Sequence, residues 1–242
     1  MKILNCKEFK EKLDIRPVNL RNVDIPKSDD IIYNYFPETK SELQLIIEER
    51  MEKEGSECDL NDIDTSKITD MSYLFRYMHG FNCDISRWDV SNVTNMESMF
   101  EHATGFNGGI SRWNTSNVIY MTKMFSNASS FNSRIGMWNV SGVINMDSMF
   151  SGATAFNQNI SRWNVSNVKI MKYMFESATS FNQDISGWDV SNVRDMRHMF
   201  DNAASFRQDI SGWNVSNVTD TAGIFYNCPI ENHSGQQPDF NI

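Results

Sequence analysis

Trp88, Trp113, Trp138, Trp163, Trp188 and Trp213 are all six tryptophans of the chain, and each stands 25 residues from the next. The same period carries Phe81 to Phe206, Ile85 to Ile210 and Ser91 to Ser216, and a second phenylalanine series from Phe75 to Phe225 adds a seventh copy. A fixed period of this length marks units that cannot bury an apolar face alone and must stack on their neighbours. Most of the apolar residues are thereby assigned to a scaffold. Function has to be sought in the positions that vary.

Within one period, residues 81–105 read FNCDISRWDVSNVTNMESMFEHATG. Asn82–Trp88, with Ile85 inward, suits a short parallel strand. Ser91 is a good N-cap, and Val93, Met96, Met99, Phe100 and Ala103 follow at helical spacing. The expected fold is an α/β repeat solenoid with a short parallel strand plus a short helix per 25-residue coil, the strands forming one continuous sheet. Ahead of it, Thr39 and Glu42 form a capping pattern, Leu43, Ile46, Ile47 and Met51 make an apolar face, and Gly55 sits where a helix stops. That predicts a helical cap. Asp59 to Ile68 reads as a modified first coil with Ile63 at the tryptophan position. The divisions are an extension over 1–38, a helical cap over 39–62, the solenoid over 63–230 and a polar tail over 231–242.

The net charge of −9 opposes binding to nucleic acid and to anionic membrane surfaces. The acidic excess is shared: residues 1–62 hold 15 acidic and 10 basic side chains, and residues 63–242 hold 16 and 12. Cys6, Cys58, Cys83 and Cys228 form neither a CxxC pair nor a regular spacing, so reduced thiols are expected. No apolar run is long enough to span a bilayer, and the start lacks the apolar core of a signal peptide. The expected location is cytoplasmic.

The units WDVSNVTNMESMF, WNVSNVKIMKYMF and FNQDISGWDVSNV, with the lead-in NDIDTSKITDMSYLF, resemble the repeat of the BspA-like leucine-rich-repeat proteins, the bacterial surface-protein repeat family. The resemblance covers about residues 64–230. It implies a leucine-rich-repeat-like solenoid and a role in surface attachment or ligand binding, with cell-surface display or secretion by a non-classical route as the alternative location.

The chemical inventory is thin. Met96-x-x-Met99 recurs as an adaptable core filler rather than a copper site. Asp89 is replaced by Asn in four of its six tryptophan-coil copies, which fits a turn acceptor and not calcium. The N-x-S/T matches at Asn92, Asn114, Asn139, Asn164, Asn214 and Asn217 follow from the repeat. His79, His102, His198 and His233 fall at different places in their coils, and no phosphate loop, GxSxG or HExxH pattern occurs. No catalytic residue, metal ligand or cofactor is expected.

Departures from consensus mark two candidate partner surfaces. The predicted helical face gathers Tyr120, Lys172, Tyr173, Arg194 and Arg197; the predicted sheet strip carries Arg87, Arg112 and Arg162, with Met137 between the last two. Tyr and Arg are enriched at interface cores. The functional expectation is a non-catalytic scaffold for an unknown protein partner; the alternatives are an exported adhesin or host-interaction factor, and a structural spacer or self-assembly component.

Overall fold

The computed structural model describes residues 32–240; Cys6, most of the expected N-terminal extension and the last two residues lie outside the described residues. The described chain has one α-helix, α1, spanning Lys40–Glu54, and two 3-10 helices near its end, Pro229–Asn232 and Ser234–Gln236. The 25-residue coils contain neither a helix nor a sheet, which corrects the expected strand-plus-helix unit. They are built from β-turns instead.

In the coil 81–105, N–H groups of Trp88, Val93, Met99, Glu101, Ala103 and then Phe106 donate to carbonyls three residues earlier, at 3.0–3.3 Å. The expected helix fails because alternate N–H groups leave the segment. Those of Met96, Ser98, Phe100 and His102 donate to Tyr120, Thr122, Met124 and Ser126 of the next coil at 2.8–2.9 Å, whereas a helix needs them for its own carbonyls. Ser98 and His102 also lie at positive φ, 52° and 59°. Turns that each close onto the carbonyl three residues back carry apolar side chains inward at nearly helical spacing, so the pattern imitates a helix. The expected strand fails because Asp84 accepts the Ser86 N–H and turns the chain at once. What survives of the sheet is isolated parallel bridges, chiefly one column running from Asp70 through Asn95, Tyr120, Asn145, Ile170 and Asp195 to Asp220.

Side chains complete the corners. Asp89, Asn114, Asn139, Asn164, Asp189 and Asn214 each accept the N–H two residues on. Asp and Asn are therefore equivalent there as acceptors. A further column, Asn92, Asn117, Asn167, Asn192 and Asn217, donates to serine carbonyls of the preceding coil.

The core is a set of parallel ring ladders. Phe100, Phe125, Phe150 and Phe175 stack on one another at centroid spacings of 5.5–5.7 Å. Each also lies about one ring thickness from the second series, as in Phe125–Phe131 at 3.8 Å and Phe150–Phe156 at 4.0 Å. The methionines of the repeat fill the space beside them and are buried, as expected of core fillers. Every indole N–H donates to a carbonyl of the preceding coil: Trp88 to Leu60, Trp113 to Ile85, Trp138 to Ile110, Trp163 to Ile135, Trp188 to Ile160 and Trp213 to Ile185, at 2.9–3.2 Å. Ile63 takes the tryptophan position in the first coil, where no earlier coil offers such a carbonyl. The helix α1 covers that end instead.

Thr39 accepts the Glu42 N–H at the start of α1, and Leu43, Ile46 and Ile47 are buried against the first coil. Arg50 ties the helix down, reaching both carboxylate oxygens of Asp62 at 2.8 and 2.9 Å and the Asp59 carbonyl at 2.7 Å. Residues beyond the last coil fold over the opposite end. Ile230 is buried, Gln236 accepts the Ile210 N–H, and Phe240 packs against Phe225 at 6.4 Å.

Two substitutions test this architecture by chemical denaturation. Trp163→Ala is expected to cost about 3–5 kcal/mol, as for other buried aromatics, whereas Trp163→Phe should cost about 1 kcal/mol, the value of one hydrogen bond. Equal losses would remove the indole bond from the account. A Cβ at Gly152, where φ is 67°, would lie 2.3 Å from Asn127 Oδ1, while one at Gly187 meets nothing within 4 Å. Gly152→Ala should therefore destabilise by about 1–2 kcal/mol, and Gly187→Ala should leave the midpoint unchanged or raise it slightly.

Candidate partner-binding surface

The coil corners and the bridge column project two faces into solvent, and their charges are treated differently. On the bridge-column face, Tyr120 is exposed, beside the exposed Ile119 and Ile144. Most of the other residues expected there are engaged within the protein. Lys172 pairs with Asp147 at 3.3 Å, and Arg197 pairs with Asp195 at 2.7 Å and Asp220 at 3.2 Å. Tyr173 stacks on His198 at 5.0 Å with its ring half-buried. Arg194 is exposed and, among the described residues, has no ion pair. These residues lie on consecutive turns, not on helices.

The other expected strip is also not a sheet. Arg87, Arg112, Met137 and Arg162 each occupy the third place of the turn closed by the tryptophan N–H, one per coil, and all four are exposed. Three residues earlier in each coil stands a second column: Asp84, Gly109, Arg134, Asn159, Asp184 and Asp209. Asp84 lies close enough to Arg87 to feel its charge; burial opposes ionisation there, but hydrogen bonds from Ser86 and Asn61 together with Arg87 hold its carboxyl below the usual range. In their own coils Arg112 and Arg162 have Gly109 and Asn159 at that place, and Arg134 itself occupies it in the coil between. Among the described residues none of the three takes part in an ion pair.

The imbalance is local. Segments 107–120, 132–145 and 157–170, which form the corners of the three middle coils, contain Arg112, Arg134, Arg162 and Lys169 and no aspartate or glutamate. The corresponding segment 182–195 contains Asp184, Asp189 and Asp195, and 82–95 contains Asp84 and Asp89. A cationic, acid-free patch therefore sits in the middle of a chain of net charge −9. At its centre a hollow of about 320 Å³ is lined by Arg134, Gly136, Met137, Gln158, Asn159 and Arg162. Met137 is 78% exposed.

Sequence reasoning passed over Arg134 and Gly136. The signal was present: Arg134 replaces the Asp or Asn that caps this corner in most coils, and Gly136 replaces the usual serine. It also passed over a cluster near α1, where Arg76 lies over the rings of Tyr73 and Tyr77 at 5.4 and 4.7 Å and pairs with the buried Glu101. Tyr77 there stacks on His102 at 4.8 Å. That cluster is internally paired.

Cys58 and Cys83, one period apart, are joined by a disulfide between adjacent coils, which corrects the expectation of reduced thiols. The 25-residue spacing carries that pairing, because equivalent positions of neighbouring coils stand side by side. Cys228 is free and buried. Among the described residues no group of three or more His, Cys, Asp or Glu is placed to hold a metal ion, and no helix is long and apolar enough to cross a membrane.

The chain matches, over residues 47–154 and again over 131–237, the model of a family described as Mycoplasma protein of unknown function, DUF285. The protein belongs to this family. Each match spans about four coils, and together they run from the middle of α1 through the last coil and both 3-10 helices. No curated protein matches the chain.

Thiol labelling checks the cysteine assignments. Burial pushes the Cys228 thiol up to about 11, so its reactive thiolate is suppressed at neutral pH. Folded, unreduced protein at pH 8 is expected to leave Cys58, Cys83 and Cys228 unlabelled by iodoacetamide, as read by mass spectrometry, with Cys228 gaining label as the pH approaches 11. Because the unfolded thiol ionises first, near pH 8.5–9, this group lowers stability progressively above that pH. Labelling of Cys58 and Cys83 without reductant would contradict the disulfide.

Proposed function

We propose that the protein is a non-catalytic scaffold that binds another protein through the acid-free corners of its middle coils. One observation carries this reading: Arg112, Arg134 and Arg162 surround an exposed methionine without an ionic partner among the described residues, on a protein that is otherwise acidic. Exposed charges left unpaired add little to folding. Arginine with an exposed apolar centre is the composition of an interface. The bridge-column face fits less well, since Lys172 and Arg197 are already paired. The likeness of the repeats to BspA-like arrays supports a binding role in the same sense.

An exported adhesin is the second reading, and the Cys58–Cys83 disulfide favours it. Disulfides persist in oxidising compartments and are rare in reducing ones. Protease treatment of intact cells separates the two: loss of the full-length protein supports exposure at the surface, and full protection supports an internal scaffold.

Capture from native cell extract tests the binding face. Arg112→Glu with Arg162→Glu should reduce recovery of the partner roughly tenfold or more, the scale of a lost interface anchor pair, with the thermal midpoint unchanged. Lys172→Glu with Arg197→Glu should leave recovery as in the natural chain. Equal recovery by all three proteins would overturn the reading.

A further inference from the structure

We propose that the hollow between Arg134 and Arg162 recognises an extended acidic segment of the partner, in which an apolar side chain rests on Met137 and flanking carboxylates reach the arginines. This rests on the reading of the corner face as the binding surface and adds the chemistry of what binds.

The hydrogen-bonding inventory of the hollow decides the class of ligand. The guanidinium groups of Arg134 and Arg162 can only donate. Asn159 uses its side-chain oxygen on the Ser161 N–H and hydroxyl, at 3.0 and 2.7 Å. Its amide nitrogen is therefore left to donate outward. Gln158 has the opposite arrangement: its nitrogen donates to Asn132 at 3.0 Å, which leaves the carbonyl oxygen to accept. A bare inorganic anion would satisfy the donors and leave that oxygen facing negative charge. A peptide satisfies both, its carboxylates meeting the arginines and Asn159 and a backbone N–H meeting Gln158.

The shape agrees. At position 136 the coil carries glycine where five equivalent corners carry serine. A Cβ there would lie 2.3 Å from the Asn159 carbonyl oxygen, so the adjoining coils approach closely at this point and no side chain fills the floor. Met137 then stands as the raised apolar centre. Along the coil axis it is flanked by Arg112 of the preceding coil and Arg162 of the following one, which stand at the same place in their repeats. Opposite charges therefore belong on both sides of the apolar contact. Long polyanions would meet the acidic remainder of the molecule, whereas a short segment feels chiefly the patch within a Debye length of about 8–10 Å.

Panning a random dodecapeptide display library on the immobilised full chain tests this without a known ligand. Selected peptides are expected to be enriched in Asp and Glu on either side of an apolar residue. Fluorescence anisotropy of the best peptide should show affinity weakened roughly tenfold or more by Arg134→Gln with Arg162→Gln, in line with lost charge-assisted pairs. Met137→Gln should weaken it several-fold, and Lys172→Gln should not change it. Circular dichroism confirms that each variant is folded. Selected peptides without acidic enrichment, binding indifferent to Arg134 and Arg162, or inorganic phosphate competing as effectively as the peptide would each overturn the assignment. Loss of native-partner capture by the Arg112/Arg162 double variant would then leave the binding-face reading standing. Undiminished capture would remove that reading itself.

Discussion

The structure depends on a main-chain carbonyl that serves two coils. The Ile85 oxygen closes its own corner by accepting the Trp88 N–H at 3.2 Å, and it also accepts the indole N–H of Trp113 from the following coil, at 3.2 Å. The arrangement repeats at Ile110, Ile135, Ile160 and Ile185. Turn formation within a coil and attachment of the next one are thereby a single event. No turn of this kind is stable alone, because its apolar side chains have nothing to pack on until a neighbour arrives. Folding in such arrays is governed by nearest-neighbour contacts.

The period, the stacking of equivalent residues and the capping helix were legible because each leaves a mark at fixed spacing. The tryptophan series gives the period, and Thr39, Glu42 and Gly55 bound the helix that the structure has at Lys40–Glu54. The internal structure of a coil was not legible. Val93, Met96, Met99, Phe100 and Ala103 are buried in either a helix or a run of turns, and the difference lies in where the N–H groups of Met96, Ser98, Phe100 and His102 go. Those donors are backbone atoms with partners 24 residues away, which no side-chain pattern records. The residues at positive φ gave a mixed signal: Tyr73, Lys123 and Tyr173 are not types associated with that region, whereas His102, Asn127, Asn202 and Asn227, with Gly152 in the same column, are.

For the surface, position in the repeat was readable and pairing was not. Arg87, Arg112 and Arg162 on one face, and Lys172 and Arg197 on the other, look alike as exposed cations in an alignment of the coils. Three-dimensional neighbours separate them, because Asp147, Asp195 and Asp220 occupy the second group. Corner chemistry matters in the same way. An Asp or Asn used to cap a turn also adds or withholds charge, so replacing it with Gly109 and Arg134 alters the local field as well as the bonding. The middle coils differ from their neighbours in both respects.

Because every coil has the same length and meets the next through equivalent atoms, the molecule has a grammar of whole units. An insertion of one or two residues within a coil moves rings, corner acceptors and indole donors out of register together, whereas addition of a complete 25-residue unit extends every column by one position. Reach along the axis can therefore change in discrete steps while the ends keep their covers. The corner residues of an added unit would be free to extend, interrupt or reverse the charge of the patch beside them, so the length and the sign of the exposed surface can vary separately on an unchanged core.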